Sequence, residues 1–174
     1  MSSTIFRPAL LNEKDAILNL YEEARKWGRD RGSCFWPDDY PNEGILDADF
    51  KGNNIYVLAR GEEIVAAASL LETDDLDHEP VGWLPLKSCV PLRVCVSSRH
   101  QRQGLGASVM REVMNHAGKT GFESIRLLAD ARNLAANGLY RRLGFVEKGK
   151  VFLYGIEFNA YEYVIERAEG TFEG

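Results

Sequence analysis

The segment Gln101-Arg102-Gln103-Gly104-Leu105-Gly106 joins residue types that together can hold an anion. It follows an apolar run, Val90 to Val96, and opens a stretch in which Leu105, Val109, Met110, Val113 and Ala117 recur at helical spacing. Glycines between a strand and a helix let the backbone approach a ligand closely. The N–H groups of the first helical turn then point outward with the positive end of the helix dipole. A pyrophosphate suits such a place, and Arg99 and Arg102 beside it would add charge-assisted contacts. A glycine pair here also serves as a plain tight turn, so the turn alone names no ligand. Two nucleotide motifs fit poorly. Gly104-Leu105-Gly106-Ala107-Ser108-Val109 has Val where a dinucleotide fingerprint needs a third Gly or Ala, and the chain has no Gly-Lys-Ser/Thr.

Two blocks give the turn a more specific meaning. Arg93-Val94-Cys95-Val96 followed by Gln101-x-x-Gly104-x-Gly106 resembles the coenzyme A signature of the GCN5-related N-acetyltransferase (GNAT) superfamily, Gln/Arg-x-x-Gly-x-Gly/Ala after a bulged strand. Asn133-x-x-Ala136-x-x-x-Tyr140-x-x-x-Gly144-Phe145 resembles the later motif of the same family, again after a strand. The likeness spans Leu92 to Phe145 at motif level, and the N-terminal third is similar only loosely.

What the resemblance implies is direct attack of an amine on acetyl-coenzyme A in a ternary complex. The pantetheine arm would lie beside the strand carrying Val94, Cys95 and Val96 in the manner of an added strand. The Val96 N–H would face the thioester carbonyl and stabilise the developing oxyanion. Gln101, Arg102, Gln103, Gly104, Leu105, Gly106 and Ala107 would hold the pyrophosphate. Asn133 would hydrogen-bond the pantetheine or its neighbouring backbone, or serve simply as a helix cap. Tyr140 matches the general acid that protonates the departing thiolate. Because a free thiol has a pKa of about 8.5, that proton is a modest aid.

The amine must also lose a proton, since an unperturbed Lys-like amine has a pKa of about 10.4. The Leu92 to Val96 strand carries no carboxylate for this. Glu72, Asp130 and water stay open as the base, each acid having a plain solvated or structural reading beside it. A nucleophilic Cys95 served by His78, His100 or His116 is disfavoured, because no local signature ties the thiol to a base. The run Glu72 to Glu79 concentrates carboxylates that could draw in a cationic acceptor, although such runs are commonly just solvated loops. Trp36, Tyr40 and Trp83 could line an acceptor pocket or merely cover the core. The rival function is a non-catalytic acyl-coenzyme A sensor with the same cradle.

The elements that must position these residues follow from periodicity. Ile5 and Phe6 predict a short strand ending near Pro8. Asn12 is then a candidate cap for a helix carrying Ile17, Leu20, Tyr21, Ala24 and Trp27 that stops between Gly28 and Gly32. A short helix is expected near Glu43 to Phe50. Asn54 to Arg60 and Ile64 to Leu71 read as a hairpin across Gly61-Glu62-Glu63. After the Val90 to Val96 strand and its helix, ended by Gly118 or Gly121, come a strand at Ser124 to Ala129 and a short helix from Asn133 closed by Gly144. Two final strands are expected at Phe145 to Lys148 and Val151 to Ile165. The sum is an α/β fold, implied by the resemblance to be the GNAT acyltransferase fold, with a central mixed, mostly antiparallel sheet and helices on both faces.

Composition bounds the rest. A chain of 174 residues, 45% hydrophobic, fits one domain over residues 1–174. A formal net charge of -5 argues against a general nucleic-acid binder. Three cysteines, Cys34, Cys89 and Cys95, include no CxxC pair, so neither a disulfide framework nor a metal ribbon is expected, and the reducing cytoplasm is the simplest setting. No signal-peptide pattern or bilayer-length apolar run is present, so no membrane role is expected. The residues do not decide the acceptor or the oligomeric state; a homodimer is compatible with the resemblance.

Overall fold

The computed structural model describes residues 3–32, 36–72 and 79–167. Cys34, His78, most of the acidic run at 73–78 and the acidic tail at 168–174 lie outside them. Among the described residues, seven strands form one sheet in the order β1-β2-β3-β4-β5-β7-β6. They are β1 (Thr4–Pro8), β2 (Ile55–Arg60), β3 (Glu63–Leu71), β4 (Ser88–Val96), β5 (Ser124–Asp130), β6 (Val146–Leu153) and β7 (Ile156–Val164). Every neighbouring pair is antiparallel except β4 and β5. The helices are α1 (Lys14–Arg31), α2 (Glu43–Lys51), α3 (Leu105–Lys119) and α4 (Leu134–Arg142). The fold is thus mixed α/β with a mostly antiparallel sheet.

Two apolar cores flank the sheet. On one face Ile17, Leu20 and Tyr21 of α1 and Leu46 of α2 pack on Ile55, Val57, Ala67 and Cys95. On the other, Leu105, Val109, Met110, Val113 and Ala117 of α3 pack on Leu58, Ala66, Ile125, Leu127 and Tyr161. The expected helical spacing of α3 therefore coincides with its buried face. Small residues at Ala66, Ala67 and Ala68 let helices sit close on both sides of β3. Among the described residues no helix is long and apolar enough to cross a membrane.

Three local expectations are corrected. Asn12 does not cap α1: a 3-10 turn at Leu11–Glu13 leads into it, and Glu13 accepts the Leu10 N–H at 2.8 Å while pairing with Arg7. A carboxylate reaching back three residues satisfies an orphan donor better placed than any Asn12 could reach. Glu63 belongs to β3, since Arg60 pairs with Glu63 across a two-residue turn in which Gly61 has φ 61°. The final hairpin does not break at Gly149. Its turn is Tyr154-Gly155, both at positive φ, with Leu153 paired to Ile156. Gly149 instead marks a bulge in β6, so a turn signal in sequence was a bulge signal in space.

One side chain gives the fold a pH dependence. His116 of α3 lies against Tyr56, with ring centroids 4.7 Å apart, and near Phe6. Burial pushes its pKa below the ordinary imidazole value, and Lys119 adds to the effect. The folded state therefore binds this proton less readily than the unfolded chain. Stability is fully present above the unfolded value, about 6.5, and declines as pH falls toward the lower folded value. His116→Phe is expected to flatten that part of a melting-temperature profile between pH 7 and 5. Parallel profiles for the two proteins would remove His116 from this role.

Candidate active site

The site is built where β4 leaves β5. Their parallel pairing is confined to Ser88 with Ser124 and Cys89 with Ile125, after which β4 has no ladder partner on that side among the described residues. Against β3 the register slips: Ala67 faces Cys95 and Ser69 faces Leu92, so Ala68 stands opposite both Arg93 and Val94. Arg93 has φ 53°, a left-handed conformation rare for a side-chain-bearing residue inside a strand.

Backbone direction past the bulge can be read from bonds. The Ser97 N–H donates to the Val65 carbonyl at 2.9 Å, toward β3. Backbone groups alternate sides along a strand, so those of Val96, and of Val94 two residues earlier, point to the open edge. The Gln101 side-chain amide indeed reaches the Val96 carbonyl from that side at 3.2 Å. Val94 and Val96 are half-buried, whereas Cys95 points the other way into the α1 core.

The glycine turn follows directly. Arg102 and Gly104 both take left-handed conformations, with φ 64° and 75°, and α3 begins at Leu105, whose side chain anchors the turn in the core. A Cβ added at Gly104 would meet nothing within 4 Å, so the turn opens onto free space, while one at Gly106 would touch Leu139 of α4 at 3.5 Å. Arg102, Gln103 and Gly104 are exposed, and Gly106 and Ala107 half-buried. Outward N–H groups at the start of a 15-residue helix, beside an open strand edge, fit an extended ligand with an anionic end and an amide-bearing arm.

Acidic side chains that the sequence did not single out brace this turn. Glu23 of α1 accepts bonds from Ser98 N–H at 3.1 Å, Ser98 Oγ at 3.0 Å and Ser97 Oγ at 3.2 Å. Glu63 binds His100 and Arg99, each at 3.0 Å, and the His100 bond holds its carboxyl below the usual range. Arg99, a sequence candidate for phosphate, is therefore engaged by Glu63. Gln103 accepts from Arg60 at 3.3 Å.

The second block lies beside the first. The Asn133 carbonyl group of the side chain accepts the Ala136 N–H at 3.1 Å, so the cap reading of Asn133 is realised. Tyr140 is half-buried, with its ring 5.6 Å from that of Phe145 and 5.8 Å from that of Tyr161. Since its neighbour Leu139 abuts Gly106, α4 carries Tyr140 to the side of the turn. Asn137, which the sequence reading passed over, is 2% exposed. It donates to the Asp130 carbonyl at 2.9 Å and the Asn133 carbonyl at 2.7 Å, and accepts from Asn159 Nδ2 at 2.8 Å and Tyr161 Oη at 2.7 Å. The only sequence signal was a polar residue one helical turn from Tyr140 on a short helix.

The candidate bases fare differently. Glu72 follows Leu71, which pairs with Val90, whereas Val96 pairs with Ala66. Six strand residues, about 20 Å, separate the two positions along β4, so Glu72 and Val96 do not meet at one carbonyl. Glu72 is exposed and 3.9 Å from Lys87. Asp130 lies at the height of Val94 in the parallel register. Burial works to raise its carboxyl, but the side-chain and backbone bonds from Arg132 outweigh this and hold it below the ordinary range. Trp36 and Tyr40 touch each other beside α1, while Trp83 lies over Arg126, so the three do not line one pocket. Cys89 and Cys95 are buried in β4, and burial pushes the Cys89 thiol up to about 12.

Among the described residues the sheet of this mixed α/β protein is thus splayed at its one parallel pair, with a glycine turn at the mouth of the gap. The sequence model of the Acetyltransferase (GNAT) family matches residues 16–145, and the chain belongs to that family. It is 28% identical over 123 residues to human N-acetyltransferase 8, a match covering 71% of this chain and 43% of that protein. The chain thus spans about half the length of the curated relatives it matches. Among solved structures it is similar to an acetyltransferase of the GNAT family from Streptococcus agalactiae, with TM-score 0.84, 23% identity and coverage of 94% of this chain and 96% of that one. It is also similar to yncA from Salmonella typhimurium, solved with its cofactor acetyl-CoA, with TM-score 0.73, 17% identity and 96% coverage of each chain.

Proposed function

We propose that this protein, acting as one domain over residues 1–174, is a cytoplasmic N-acetyltransferase that moves the acetyl group of acetyl-coenzyme A to a primary amine by direct attack. The observation that carries this reading is the open edge of β4: backbone groups of Val94 and Val96 face a gap whose mouth is the left-handed turn at the start of α3. The turn from Gln101 to Ala107 offers N–H groups and a helix dipole to the pyrophosphate. In this reading the Gln101 side chain positions the Val96 peptide rather than touching phosphate, and the Val96 N–H polarises the thioester carbonyl. Tyr140 supplies the proton to the sulfur. Glu72 is too remote and Asp130 too firmly held by Arg132, so water takes the proton of the amine.

Thermal-shift titration with acetyl-coenzyme A, followed by thiol release across polyamines, aminoglycosides, amino acids and peptide N-termini, tests the reading. Stabilisation and turnover with at least one amine are expected. Stabilisation with no turnover across the panel would instead favour a sensor. Tyr140→Phe removes the acid but keeps the ring, so turnover is expected to fall by about tenfold, less than the roughly 10²–10⁴ usual for general acid catalysis because the thiolate is a tolerable leaving group, while coenzyme A affinity stays near wild type. An unchanged rate would take Tyr140 out of the chemistry.

A further inference from the structure

Among the described residues, Arg93 is the one positive-φ residue with a side chain that sits within a strand ladder rather than at a turn; Asn53, Arg102 and Tyr154 occupy turns between elements. Its conformation is what lets β4 place two residues opposite Ala68. Its side chain runs to the α2 face, where Asp49, in the last turn of α2, receives it bidentately: Nη2 lies 2.7 Å from Oδ1 and Nε 3.1 Å from Oδ2. Both side chains are nearly closed to solvent, at 8% and 6% exposure. Ser69, the β3 residue beside the bulge, donates to the same carboxylate at 2.5 Å, and Tyr40 Oη lies 3.4 Å from Arg93 Nη1. The guanidinium fork therefore ties the bulge to α2, to β3 and to the loop before α2.

We infer that Arg93 and Asp49 form a positioning pair that pins the β4 bulge at one residue and thereby decides which backbone groups of β4 face the gap. This rests on the reading of the gap as the acyl-coenzyme A site. A buried ion pair is a weak source of net stability compared with apolar residues of equal volume, but it is a specific registry device, because only one arrangement satisfies it. Registry is what the gap needs. Strand backbone groups alternate sides, so a bulge displaced past Val96 would turn the Val94 and Val96 N–H groups toward β3 and present those of Cys95 instead. Neither residue needs to touch the ligand. Their side chains lie on the face of α1 and α2, and they act through the peptide geometry of Val94 and Val96.

The test separates this role from general stability by exploiting the positive φ. In an Asp49→Asn background, Arg93→Gly removes the latch but adopts the left-handed conformation without strain, whereas Arg93→Ala removes the latch and keeps the strain. Binding of coenzyme A is measured by calorimetry on each protein after circular dichroism confirms folding. The Gly double variant is expected to bind near wild type, and the Ala double variant about tenfold more weakly, in line with the strain of a non-glycine residue there. Wild-type affinity in both doubles overturns the inference, whereas weak binding in both would mean that the fork itself, and not only a residue tolerant of the left-handed conformation, holds the register. The single variant Asp49→Asn covers the case in which a double variant does not fold. It keeps volume but loosens the fork, so about fivefold weaker binding is expected for a charge-assisted bond lost, and wild-type affinity overturns the inference. Failure of the wild-type protein to bind coenzyme A sinks the functional reading and the inference together, an outcome distinct from all of these.

Discussion

Gly104→Val is expected to abolish measurable coenzyme A binding at concentrations that saturate the wild type, whereas Gly106→Ala is expected to bind within about twofold of it and to melt slightly higher. The two glycines look alike in sequence, and their surroundings separate them. Gly104 has φ 75°, where an L-residue costs about 1–2 kcal/mol and a β-branched one more. Its missing Cβ would project into open space, the space a phosphate would fill in the proposed complex. Valine there both strains the turn and blocks it. Gly106 is the second residue of α3, and its Cβ would make an ordinary 3.5 Å contact with Leu139, away from that space. Alanine inside a helix is favoured over glycine by about 1 kcal/mol, or roughly 2–4 °C in a domain of this size. Isothermal titration with coenzyme A and thermal melts of both variants check the pair. Similar losses of affinity in both would show that the turn is not read through Gly104.

The contrast also marks what the sequence could and could not reveal. Element types were legible because α3, β3 and β5 bury one consistent face or run, and periodicity reports burial. The two motif blocks were legible because the residues of each are close in sequence. What stayed hidden depends on pairing across the fold. No local signal indicates that β4 and β5 separate after Cys89, that Glu23 and Glu63 reach across to brace the loop before α3, or that Asp49 waits for Arg93 44 residues away. Register is a property of two strands, so the distance between Glu72 and Val96 could not be read from one. Gly149 misled for a related reason: a glycine that serves a bulge and one that serves a turn have the same local signature.

Asn137→Leu is expected to lower stability by about 2–4 kcal/mol and, unusually for a buried position, to be worse than Asn137→Ala. The cost comes from the partners left behind. The Asp130 and Asn133 carbonyls keep backbone donors, from Asn133 and Asn137 respectively, so their loss is partial. Asn159 Nδ2 and Tyr161 Oη both donate to Asn137 Oδ1 and keep only each other's side chains in reserve, while Asn159 Oδ1 is already buried with no partner among the described residues. Leucine fills the site and excludes water from those groups, whereas alanine leaves room for a water that can pair with them. Melting temperatures should therefore order as wild type, Asn137→Ala, Asn137→Leu, with Asn137→Leu down by roughly 5–15 °C. The reverse order, the usual one for an apolar core, would mean that the network contributes through packing alone. The same substitution also probes the site. Asn137 joins the first turn of α4 to β5 and β7, and Tyr140 rides one turn further on, packed on Tyr161. Loosening that anchor moves the proposed acid without touching the glycine turn, so turnover should fall more than coenzyme A affinity in folded Asn137→Ala. Equal losses in both would place the defect in the cradle rather than in the support of Tyr140.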